Sequence, residues 1–107
     1  MTAAGAPLPI HVWFALLPGS LALDWAGPAE ALRCANAQLA EAGRPERFVL
    51  HFTAPEAALA SSVGVQLAGL EPLPEALPVP SWVVLVGVVG PRIDVAGAPA
   101  AALKRRL

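Results

Sequence analysis

Pro9-Ile-His-Val-Trp-Phe-Ala-Leu-Leu17 is an almost unbroken apolar run, closed by Pro18-Gly19-Ser20. A strand with one wet face alternates apolar and polar residues, whereas a strand buried on both faces reads as a continuous apolar run. The run therefore predicts a parallel strand inside a sheet. Residues 21–42 then switch to helix formers, with Ala29, Leu32, Ala35 and Leu39 at spacings of three and four and with Glu30, Arg33 and Glu41 on the other side. Gly43 is placed to end this helix in the left-handed conformation. Arg47-Phe-Val-Leu-His-Phe-Thr53 follows as a second strand, stopped by Pro55. Strand, helix and strand at this spacing form a βαβ unit, which crosses over right-handed into a parallel pair.

Beyond this unit the pattern weakens. Ser61-Ser-Val-Gly-Val-Gln-Leu67 reads as a short strand or hairpin arm, and Pro72, Pro74, Pro78 and Pro80 make 70–80 an irregular connection. Residues 82–86, inside Trp82-Val-Val-Leu-Val-Gly-Val-Val-Gly90, form the third strand, β-branched and apolar enough to be central. Pro99 is placed to open a helix running to Leu107, and residues 1–8 form a loose tail. The expected architecture is α/β, a flavodoxin-like, doubly wound, mainly parallel sheet with helices on both faces. These elements make up half of such a sheet, so residues 9–107 are expected to be the first part of a larger domain.

Composition narrows the function classes. The chain has 107 residues, 56% of them hydrophobic and 14% charged, with a formal net charge of −1, which excludes intrinsic disorder. Seven basic against eight acidic residues leave no footprint of a nucleic-acid surface. The basic triplet Lys104-Arg105-Arg106 suits a helix C-terminus. The longest apolar stretch is about half of the roughly 20 residues that a spanning helix needs, so no membrane partner is expected. One cysteine excludes an internal disulfide framework, and a cytoplasmic, reducing location is the default.

Asp24 is the first candidate for chemistry. It lies where the first strand turns into the first helix, and in open α/β sheets the ligand crevice opens at the carboxyl ends of the strands. Between Leu23 and Trp25, a partly desolvated carboxyl with a raised pKa would suit proton exchange; alternatively, Asp24 is simply an N-cap. Gly87 and Gly90, after the third strand, are weaker candidates, offering backbone N–H groups to an oxyanion. Cys34 falls mid-helix and is expected to be a small buried hydrophobe. His11 and His51 fall inside strands, with His51 facing away from Phe48, Leu50 and Phe52, and both read as structural. No Cys/His/Asp spacing indicates a metal, and the glycine motifs of nucleotide cofactors are absent.

Val12-Trp-Phe-Ala-Leu-Leu-Pro-Gly-Ser-Leu-Ala-Leu-Asp24-Trp-Ala-Gly-Pro28-Ala-Glu-Ala-Leu32 resembles the opening of the ThiJ/PfpI superfamily, with its class I glutamine-amidotransferase-like fold. It is most similar to the GlxA-like branch fused to AraC-type regulators, in which Pro-Gly precedes Leu-Asp-x-x-Gly-Pro-x-Glu. More loosely, Ser61-Ser62-x-Gly64 resembles the family's segment before a short hairpin, and 82–87 its strand leading to a glycine-rich loop. The resemblance implies an acid at Asp24 facing a nucleophile, usually Cys, on a later elbow that these 107 residues do not contain; Cys34 does not match it. The implied function is the ligand-sensing or dimerising amino-terminal portion of an AraC-family transcriptional regulator. Its partners would be a small molecule and a second copy, with DNA reached only through downstream helix-turn-helix segments. The alternative it implies is a fragment of an enzyme such as an isonitrile hydratase, using Asp24 with that absent Cys.

Overall fold

The computed structural model describes residues 7–88. Its elements in order are β1 (Ile10–Ala15), α1 (Ala22–Glu41), β2 (Phe48–Thr53), β3 (Leu59–Ala60), β4 (Gln66–Leu67) and β5 (Ser81–Leu85). β1, β2 and β5 form a parallel sheet in the order β2-β1-β5, and β3 and β4 form a small antiparallel hairpin. The predicted βαβ unit is thus present. Val12, Trp13, Phe14 and Ala15 are all buried, as the unbroken apolar run of β1 requires.

Local chemistry fixes the ends of α1. Leu17-Pro18-Gly19-Ser20 closes a turn in which the Ser20 N–H donates to the Leu17 carbonyl at 3.0 Å. Gly19 has φ +83° there, the left-handed geometry of the third position in a type II turn. At the far end the Gly43 N–H donates to the Ala40 carbonyl and the Arg44 N–H to the Leu39 carbonyl, with Gly43 at φ +70°. That pair of bonds is a Schellman stop. Pro28 lies inside the helix on its exposed side and has no N–H to give the Asp24 carbonyl.

Register sorts the side chains. Val12, Phe14, Leu50, Phe52 and Val84 share the face covered by Trp25, Ala29 and Leu32 of α1. Phe14 and Phe52 stack with centroids 5.1 Å apart, and Trp25 meets Phe52 edge-on at 5.8 Å. A second cluster of Leu16, Ala54, Leu59 and Val86, with Leu67 and Leu70 against it, carries the core past the strand ends and under the β3–β4 hairpin. Asn36 of α1 binds the start of β2 like an added strand. Its Nδ2 donates to the Phe48 carbonyl at 2.8 Å, and its Oδ1 accepts from the N–H groups of Arg47 (3.1 Å) and Phe48 (3.0 Å).

Three expectations need adjusting. Among the described residues β5 pairs with β1 alone, and Trp82 and Leu85 are 48% and 60% exposed, so the second neighbour expected for a central strand is not among these residues. The apolar sequence of β5 suits a central or an edge position, because residue type reports burial potential and not the presence of a neighbour. Residues 61–65 connect β3 to β4, so only the end of the predicted stretch, Gln66–Leu67, is a hairpin arm, and the other arm, Leu59–Ala60, precedes the stretch. Cys34 is exposed and not buried, because α1 turns Leu32, Ala35 and Asn36 towards the sheet and leaves positions 33 and 34 outside. The helix expected at 99–107 and six of the eight tail residues lie outside the described residues; Pro7 and Leu8 are exposed.

Candidate functional site at the carboxyl ends of β1 and β5

The chain leaves β1 towards β2 through α1, and later returns to the other side of β1 as β5. The direction of winding therefore reverses between β1 and β5, which is where open α/β sheets form a crevice. Backbone bonds hold the two exits together. The Leu21 N–H donates to the Gly87 carbonyl at 2.8 Å, and Ser20 and Val88 form an antiparallel bridge. The Ala22 N–H points to Ser62 Oγ at 3.4 Å, and the Ser62 N–H donates to the Ser20 carbonyl at 2.9 Å. The hairpin side of the chain thus satisfies a free N–H of the first helical turn, a task that falls elsewhere to a capping side chain.

Asp24 and Gly87 meet at this corner. A Cβ built on Gly87 would lie 2.8 Å from Asp24 Oδ2 and 3.2 Å from Leu21 Cδ1, so glycine here leaves room for the carboxyl group. Asp24 is not the N-cap. Leu21 holds that position, with extended backbone and no side-chain cap bond, and Asp24 is the third helical residue. A negative charge in the first turn is favourably placed in the field of the helix. The expected desolvation is not found either: Asp24 is exposed, because Trp25 takes the inward-facing phase of the helix and Leu23 (84% exposed) faces out. No described residue donates a hydrogen bond to the Asp24 carboxylate. Gly90 lies outside the described residues.

A shallow apolar cleft of about 330 Å³ lies next to this corner, walled by Leu16, Trp25, Phe52 and residues 66–70 of the hairpin's outgoing arm. The Trp25 indole Nε1 is buried and finds no acceptor among the described residues. No motif in the sequence marks this cleft, since it forms where the hairpin folds back over the end of β1. Exposed Cys34 receives a contact of 3.7 Å from Arg33 Nη2, and Arg33 pairs at 2.8 Å with Glu30 on the solvent face. Hydrogen bonding and the opposite charge hold Glu30 below and Arg33 above their ordinary values. Neither Cys34 nor this ion pair belongs to the corner. Among the described residues no group of three or more His, Cys, Asp or Glu side chains is arranged to hold a metal, and no helix is long and apolar enough to cross a membrane.

No family model matches the chain, and no curated protein or solved structure matches it.

Proposed function

We propose that this chain is the amino-terminal part of a ThiJ/PfpI-like, flavodoxin-like domain of an AraC-type transcriptional regulator, and that it senses a small molecule at the Asp24–Gly87 corner. One observation carries the reading: the acid after β1 and the glycine after β5 converge at the point where the winding reverses. A carboxylate accepts hydrogen bonds and donates none, so the molecule it takes presents N–H groups, as an amine or a primary amide does. Among the described residues none pairs with this carboxylate, so such a donor breaks no described contact on binding. Dimerisation, the other half of the proposed role, draws support from β5, whose outer edge has no described partner strand and whose Trp82 and Leu85 are exposed. A cytoplasmic setting belongs to the same proposal.

The test is an amide-resolved NMR titration with small probes: ethylamine, acetamide and free amino acids. The expected result is a set of shifts at residues 21–24 and 86–88 that Asp24→Asn abolishes. No response to any probe, or a response that survives Asp24→Asn, would refute the assignment of the site. Sequencing the DNA past the Leu107 codon then separates regulator from enzyme. Helix-turn-helix segments downstream support the first; a Cys-bearing elbow and a stop codon soon afterwards support the second.

A further inference from the structure

The face of the sheet opposite α1 carries an arrangement that the proposed site does not use. His11 of β1 and His51 of β2 point to the same side, with His11 Nδ1 2.9 Å from His51 Nε2 and ring centroids 5.2 Å apart. The indole of Trp13 lies flat on His51, with centroids 3.7 Å apart and planes 9° from parallel. Trp13 Nε1–H donates to Ser81 Oγ of β5 at 3.1 Å, and the Ser81 hydroxyl donates to the Pro78 carbonyl. One continuous set of contacts therefore joins β2, β1 and β5 on this face.

A hydrogen bond between two imidazoles uses one proton between the facing nitrogens: one ring donates and the other accepts. A first added proton goes to an outward nitrogen of the donor ring and makes the bond charge-assisted. A second must enter between the rings, so that two N–H groups and two like charges face each other and the bond is lost. We propose that His11 and His51 form a proton-sensitive latch between β1 and β2, closed until the pair takes up a second proton and read out by the Trp13 ring stacked on it.

Among the described residues, the charged groups around His51 are few. His11 faces it from β1, Glu71 acts on it from the segment after β4, and β5 contributes no titratable side chain. Burial first, then the charge of His11, hold His51 below the ordinary histidine value, while Glu71 opposes them. The sign follows from this lowering. Over the interval between the folded His51 value and the ordinary one of about 6.5, the unfolded chain binds more protons than the folded one. The contribution to stability is therefore complete above that ordinary value and is lost as the pH falls through the folded value.

The test is ¹⁵N NMR of the imidazole rings together with the Trp13 indole resonance, on the intact chain between pH 8 and 5. At pH 8 one facing nitrogen should be protonated and its partner bare; on acidification the Trp13 signal should move in step with His51. In His11→Gln, with one charge removed, the His51 midpoint should rise. In His51→Gln the pH-dependent movement of Trp13 should vanish. Two rings titrating independently, with Trp13 unmoved, would overturn the proposal, as would a His51 midpoint indifferent to His11→Gln. The titration of the unaltered chain decides between these outcomes even if a variant fails to fold.

Discussion

Gly87→Ala separates the role of the corner from its contribution to stability. The added methyl would sit 2.8 Å from Asp24 Oδ2 and 3.2 Å from Leu21 Cδ1, so the oxygen must retreat by about 0.6 Å and the Leu21 methyl by about 0.2 Å to reach an ordinary 3.4 Å contact. Both atoms are ends of exposed, rotatable side chains. Turning Asp24 off its rotamer costs roughly 0.5–1.5 kcal/mol. Gly87 does not need a positive φ, so alanine at this position restricts the unfolded chain and contributes about 0.4–1 kcal/mol in the opposite direction. Stability measured by urea unfolding should therefore change by no more than about 1 kcal/mol. Probe affinity should fall about tenfold or more, a differential of roughly 1.4 kcal/mol, because the carboxylate has been displaced. A stability loss above about 3 kcal/mol, of the size that core defects produce, would show a rigidly packed contact and not an open site. Unchanged probe binding would show that the displaced group is not the one that binds.

Other substitutions test the scaffold that holds the corner. Asn36→Ala removes three hydrogen bonds at the start of β2; with part of the loss made good by water at the sheet edge, urea unfolding should show about 2 kcal/mol less stability. Phe14 is fully buried between α1 and Phe52, and Phe14→Ala should cost about 3–5 kcal/mol in the same assay. Exposed Cys34 should react with a thiol reagent in the folded chain at nearly the rate of an unfolded control, whereas strong protection would place it inside.

The βαβ unit was legible because two periods change sharply at residues with special backbone requirements. Continuous apolarity gives way at Pro18-Gly19 to a 3.6-residue pattern, and that pattern ends at Gly43. Alternation also placed His51 on the face away from Phe48 and Phe52. That His11 sits against His51 was not legible, because the register of a parallel pair depends on how the crossover helix docks, and nothing within either strand records it. Asn36 was missed for a related reason: a polar residue on a helix reads as solvated until the strand edge that it binds is in place. The exposure of Asp24 turned on the phase of α1, where Trp25 takes the inward position one residue later. Its meeting with Gly87 was anticipated only as far as strand order could be, from the rule that both strand ends face one crevice.

Disulfide trapping of Asp24→Cys with Gly87→Cys, in a Cys34→Ala background, tests most directly whether the start of α1 lies against the exit of β5. Mild oxidation should link the two within one chain, rapidly and at low protein concentration, with both thiols lost and no dimer formed. Persistence of both free thiols, or links formed solely between chains, would contradict the convergence on which the site and its proposed role depend.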